Sequence, residues 1–150
     1  MISLSLFKVI NIKYKNMEDD LELLKKICKD IASGNWDAHW EENSYILRPS
    51  GNPLTKHENQ EMVKNKDLVI HTQELVSINK IDVYSEIALA CITVHQVFSY
   101  KNIPNDDISV ILIVFKKIDN TWKMISGSRS QGRNPNKDSL PVFPKTSSIS

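Results

Sequence analysis

Four polar residues, Arg129, His71, Gln96 and His95, are set in runs of strand-forming apolar residues, where a polar side chain needs a reason to be. Arg129 closes the last such run, residues 121–131, on the face of Ile125 and Gly127. A guanidinium there must be paired internally or meet an anionic ligand, because an unmatched buried cation is costly. Gly127 removes a side chain from the same face and is expected to leave room beside it. His71 opens another run as Ile70-His71-Thr72. It is either a satisfied histidine at a sheet edge or an acid or base in a pocket. Gln96 and His95 are adjacent, so they point to opposite faces of their strand and only one can join a pocket. His95 shares parity with Cys91 and Thr93, Gln96 with Ile92 and Val94. Trp36, Trp40, Tyr45 and Trp122 form either an aromatic wall or ordinary core, and Tyr45 or Gln96 can donate a hydrogen bond to a ligand. Arg48, before Pro49, reads as a solvated charge or as a loop residue over a mouth.

Proton-transfer chemistry is poorly supplied. Residues 87–100 and 108–115 contain no acid, leaving Glu74, Asp37, Glu41 and Glu42 as the nearest candidates, each more typical of a solvated surface. There is no P-loop, no dinucleotide glycine fingerprint, no His-Glu-x-x-His and no Gly-x-Ser-x-Gly elbow. The histidines, His39, His57, His71 and His95, are dispersed, so no metal site is expected. No cofactor is called for.

Whole-chain properties narrow the field further. The 150 residues carry 19 Lys and Arg against 18 Asp and Glu, a net charge of +1, so no basic excess is available to hold a phosphate backbone. Nucleic acid is not an expected partner. Cys28 and Cys91 lie on an apolar helix face and in an apolar strand run, as buried thiols of a reducing cytoplasm would. Residues 1–16 are apolar but interrupted by Ser3, Ser5, Lys8 and Asn11. They are a poor match to a signal peptide and too short to span a bilayer, so no membrane association is expected. They read as a loose or edge strand, and Met17 can be read as an alternative initiator.

The elements that must position these residues change period along the chain. From 18 to 32, Leu21, Leu24, Ile27, Cys28 and Ile31 recur at spacings of three and four, the mark of a helix with one buried stripe. Gly34 is its expected left-handed stop. Trp36, Ala38, His39 and Trp40 read as a second short helix. Thr55 caps a third through Lys64, with Glu58 completing a capping box and Met62 and Val63 facing inward. Beyond Asp67 the period becomes two, and residues 69–81, 84–100, 108–118 and 121–131 read as strands of an antiparallel sheet. The second and third of these are apolar on both parities. Helices can cover only one face, so the other is expected to meet a second subunit, giving a homodimer or higher oligomer. From 134 to 150 nothing periodic remains, and the tail reads as disordered.

Taken in order, Ile31-Ala32-Ser33-Gly34-Asn35-Trp36, Ile70-His71-Thr72, Ala90-Cys91-Ile92, and Trp122 with Arg129-Ser130 resemble the nuclear transport factor two-like superfamily. Among its members the chain is most similar to the association domain of calcium/calmodulin-dependent protein kinase II, with SnoaL-like and ketosteroid isomerase-like proteins more distant. The resemblance implies an α+β cone over residues 17–133: a strongly curved antiparallel sheet, three N-terminal helices and an enclosed pocket. It implies pocket positions at His71 and Arg129, where small carboxylates bind in the association domain. A further family arginine falls near Gln96, which is uncharged, and another where Leu112 and Ile113 stand. The catalytic Asp of ketosteroid isomerase-like enzymes has no match. Two functions stay open. One is a freestanding, self-associating domain that binds a small polar or anionic molecule through His71, Arg129, Gln96, Tyr45 and Trp40. The other is a cofactor-independent isomerase, cyclase or dehydratase acting on a small apolar substrate with His71 as acid or base.

Overall fold

The computed structural model describes residues 3–145. Helix α1 (Leu4–Ala32) is followed by a 3-10 turn (Asp37–His39), strands β1 (Trp40–Leu47) and β2 (Pro53–Thr55), helix α2 (Lys56–Lys64), and strands β3 (Leu68–Tyr84), β4 (Ile87–Tyr100), β5 (Ile103–Ile118) and β6 (Thr121–Arg129). The fold is α+β, with a six-stranded sheet in the order β2-β1-β6-β5-β4-β3. Three consecutive antiparallel pairings join β3, β4, β5 and β6, as their alternating patterns dictate.

Leu24, Cys28, Ile31 and Ala32 of α1 are fully buried in one core with Ile92, Ile111, Ile113, Phe115 and Met124 of the sheet. This inner face also carries Ala88, Ala90 and Val94, small enough to let the helix approach. Asp20 ties α1 to the sheet, accepting from Trp122 Nε1 at 3.1 Å and from Lys117 Nζ at 3.1 Å. Ser33 and Gly34 end the helix, Gly34 at φ +110°, the left-handed stop its sequence position implies.

Four expectations are corrected. Residues 4–16 are helical rather than a loose or edge strand: Ser3 caps the helix through its Oγ, 3.3 Å from Leu6 N, and the helix runs unbroken into the buried stripe of Leu24, Cys28 and Ile31, while Phe7, Ile10 and Met17 are exposed. Residues 1 and 2 lie outside the described residues. The expected second helix is only a three-residue 3-10 turn, because Trp40 already belongs to β1, so the described residues form two α-helices and not three. The sheet is mixed, since β1 runs parallel to β6, and it is not strongly curled. Val63 is half exposed rather than inward, while Met62 packs against the core.

The cap of α2 forms as its sequence implies, with Glu58 N donating to Thr55 Oγ1 at 3.1 Å. Beyond β6, Arg133 pairs with Ile108 through both backbone bonds, and residues 134–138 form a turn closed by Asn134 N to Asp138 Oδ2 at 2.8 Å. Residues 139–145 carry no helix or strand. The rest of the expected disordered tail, 146–150, lies outside the described residues. No helix among the described residues is long and apolar enough to cross a membrane.

Candidate functional site

A cavity of about 980 Å³ opens between the inner face of the sheet, the turn after α1, and α2. Its walls are apolar, with Trp36, Trp40, Ile46, Leu54, Met62 and Phe98 among them. Trp36 and Trp40 stand with ring centroids 6.2 Å apart at an interplanar angle of 57°, a tilted arrangement that favours their ring quadrupoles.

Arg129 enters this apolar space from the end of β6. Strand pairing sets it beside Ile111 of β5, with Ser109 and Gln96 on the same inner face. Its Nε donates to Ser109 Oγ at 2.9 Å and its Nη2 to Gln96 Oε1 at 2.6 Å. Because the Gln96 oxygen serves the arginine, its Nε2 is directed away and donates to Gln73 Oε1 at 3.1 Å on β3. A polar relay thus crosses four strands in an otherwise apolar face. Ser109 and Gln96 are buried, so the relay is held against water.

Arg129 makes no ion pair among the described residues. Burial draws its pKa below the ordinary arginine value, and the nearby Asp107 carboxylate opposes that shift. The group stays cationic regardless, since the ordinary value is so high. Asp107 lines the cavity too, and a Cβ at Gly132 would collide with its carboxyl, so Gly132 lets the chain pass over it.

Arg48 approaches from the neighbouring strand. Ile46 pairs with Gly127 and Leu47 with Ser128 in the parallel ladder. Arg48 follows directly after β1, and its guanidinium turns toward β2 and α2, whereas that of Arg129 turns toward β5 and β4. Both line the cavity. Arg48 Nη2 donates to Pro53 O at 3.0 Å and lies 3.6 Å from Glu58 Oε2, while its Nε is buried without a partner. Trp40 Nε1 is buried without a partner as well. Both atoms are buried from water, so neither faces the open space of the cavity.

Of the five residues expected to bind a ligand, the structure brings Arg129, Gln96 and Trp40 to one cavity. It does not bring His71 there. A bulge between Ile70 and Thr72 displaces His71 from the pairing that keeps Ile70 and Phe98 on the cavity wall. His71 is exposed, with Nε2 3.2 Å from Ser99 Oγ. Tyr45 faces outward, opposite Ser126 and 52% exposed, because the parity that puts Ile46 inside puts Tyr45 outside. Trp122 belongs to the core. Gly127 opens no space: a Cβ there would sit 2.9 Å from Leu112 O and 3.2 Å from Ile46 Cγ2, so the glycine admits β1 to the sheet.

Sequence reasoning passed over Gln73, Ser109 and Asp107, although extending the parity of Ile111 along β5 reaches Ser109 and Asp107; Gln73 is named only by its register opposite Gln96 on the next strand. Arg48, read from the sequence as a solvated charge or a loop residue over a mouth, follows β1 and lines the cavity with Pro49 and Ser50. Among the described residues no group of His, Cys, Asp and Glu could hold a metal ion.

The outer face is composed differently. Leu89, Cys91, Val110 and Val114 are half-buried there and Leu112 is 45% exposed, with no helix over them. At its margin His95 lies between Asp106, at 2.7 Å from Nε2, and Glu74, at 3.4 Å from Nδ1. Asp106, then Glu74, raises the imidazole pKa, with burial opposing. The buried Cys28 thiol is pushed up to about 12 by desolvation and is chemically inert.

Residues 37–137 match a family model described as "Protein of unknown function (DUF3804)". Among solved structures, an NTF2-like protein of unknown function from Prochlorococcus marinus is 30% identical with a TM-score of 0.68, over 77% of this chain and 94% of that one. A putative Ca/calmodulin-dependent kinase II association domain from Exiguobacterium sibiricum is 13% identical, TM-score 0.59, over 81% and 95%. The association domain of CaMKII from C. elegans is 12% identical, TM-score 0.52, over 79% and 97%. These establish the NTF2-like fold. No curated protein matches the chain.

Proposed function

This chain belongs to the family described as protein of unknown function (DUF3804), and we propose that it is a self-associating binding domain whose cavity takes a small polar or anionic molecule at Arg129. The observation that carries this reading is the state of that arginine. It lies in a largely apolar cavity, held in place by two neutral side chains, Ser109 and Gln96, with no ion pair of its own among the described residues. Neutral partners orient a guanidinium without neutralising it, which leaves its charge available to an oxyanion. The relay to Gln73 fixes the orientation before a ligand arrives, so less ordering is required on binding.

Self-association is supported by the uncovered apolar face of β4 and β5, and by the likeness in fold to association domains. The two cysteines are free, which supports work in the reducing cytoplasm. The acid-base alternative has lost its carrier, because His71 stands outside the cavity.

Thermal shift with a panel of small carboxylates and their neutral amides tests the reading. The carboxylates should raise the melting temperature of the protein and the amides should not, and Arg129→Gln should remove the response. Carboxylates that leave the melting temperature unmoved, or that act equally on Arg129→Gln, would overturn it.

A further inference from the structure

We infer that Asp107 is a second binding residue of the cavity, one that accepts the ammonium group of its ligand, so that the preferred ligand is a small zwitterion with an apolar body rather than a plain carboxylate. This deepens the reading of Arg129 given above and rests on it.

Strand pairing places Asp107 on the inner face. It stands opposite Gln96, which accepts from Arg129, and two residues along the same pair of strands Phe98 stands opposite Asn105. All four line the cavity. The Asp107 carboxyl is half-buried and is given room by Gly132, where a Cβ would collide with it. Arg129 feels its charge but places its own bonds on Ser109 and Gln96, so Asp107 is left without a hydrogen bond or ion pair among the described residues. Asp37, the other carboxylate in the lining, is engaged, accepting from Gln60 Nε2 at 3.3 Å.

Two unlike charges thus line one largely apolar cavity without meeting. Each opposes what the other attracts: a lone carboxylate drawn to Arg129 is repelled by Asp107, and a lone amine drawn to Asp107 is repelled by Arg129. A molecule that carries both groups satisfies both residues, and it compensates two charges that are costly to leave unmatched away from bulk water. Phe98 is the diagonal neighbour of Asp107 across the strands, a placement within reach of an aromatic side chain. Its ring adds a favourable contact for an ammonium held there. Trp36, Trp40 and Met62 supply the wall for an apolar body.

Calorimetric titration of the full chain at neutral pH tests the assignment with four probes: L-phenylalanine and 3-amino-3-phenylpropanoate, which are zwitterions, 3-phenylpropanoate, which lacks the ammonium, and phenethylamine, which lacks the carboxylate. The better of the two zwitterions should bind about tenfold tighter than either single-charge probe. Asp107→Asn should weaken that zwitterion by about tenfold and tighten 3-phenylpropanoate by about two- to threefold, changes of opposite sign that mere loss of structure would not give. Zwitterions that bind no tighter than 3-phenylpropanoate, or an Asp107→Asn protein in which both kinds of probe weaken alike, would overturn the role of Asp107. The Arg129 site would still stand in that case if 3-phenylpropanoate binds and Arg129→Gln abolishes its binding. Phenethylamine binding tighter than both zwitterions would also overturn the inference, since the site would then be one for a plain cation. If none of the four binds the unaltered protein, this inference and the reading of Arg129 fall together.

Discussion

His95 shows how one residue type takes different work on the two sides of a strand. Its neighbour Gln96 turns inward to orient Arg129, while His95 turns outward between Asp106 and Glu74. Those carboxylates favour the imidazolium, so the folded protein holds the proton more tightly than the unfolded chain, whose histidine titrates near the ordinary 6.5. The stabilisation is therefore complete below about pH 6.5 and is lost as pH rises through the elevated folded value. Urea unfolding at about pH 6 and about pH 8.5 should show stability falling with pH in the unaltered protein, and a flatter profile in His95→Gln. At this scale the sequence was readable where parity decides and silent where irregularity intervenes. Gln96 and Arg129 follow from alternation along regular strands. His71 does not, because a bulge breaks the alternation at that residue, and no residue type announces it.

Among the elements, β1 depends on a single missing side chain. Its Ile46 packs where Gly127 has no Cβ, with Leu112 O closing the remaining space. Gly127→Ala should therefore push β1 away from β6 and cost about 1–3 kcal/mol, measurable as a lower urea midpoint. The helices illustrate what local sequence carries. The cap of α2 needs only Thr55 and Glu58, three residues apart, and forms as the pattern implies. The start of α1 was obscured because apolar residues in 4–12 satisfy both periods at once, and the helical one prevails where the stripe continues into Leu21 and Leu24. The short 3-10 turn marks the opposite case, where Trp40 is taken up by β1 and a local helical pattern yields to a long-range pairing.

For the whole molecule, the decisive asymmetry is between a sheet face covered by α1 and a sheet face over which no helix of the described residues lies. Leu112, exposed at the middle of that second face, is flanked by Cys91 on β4 and Ser128 on β6. A stable interface between copies requires about 1,200–2,000 Å² of total buried surface, which one open sheet face can supply. Leu112→Lys should shift the mass measured by light scattering to that of one chain while leaving the melting temperature of the subunit nearly unchanged, since Leu112 contributes nothing to the inner core. An unaltered protein that is already a single chain at all concentrations would refute the proposed self-association. The uncovered face was legible from doubled apolar parity in residues 87–92 and 110–115, because a run apolar on both sides must be covered twice.

The pairing of β1 with β6 also governs the order in which the molecule is made. Ser44 Oγ reaches Met124 O across 80 residues of chain, whereas β3 to β6 join through successive hairpins. Contacts closed over long loops form late, after the local ones have paid down the entropy of the intervening chain. On the ribosome, β1 emerges early with β2 beside it, and its second partner arrives only with β6. The cavity, which Arg129 enters from the end of β6, is thus completed late, and a ligand held by that arginine can distinguish a chain with β6 in place from one without it.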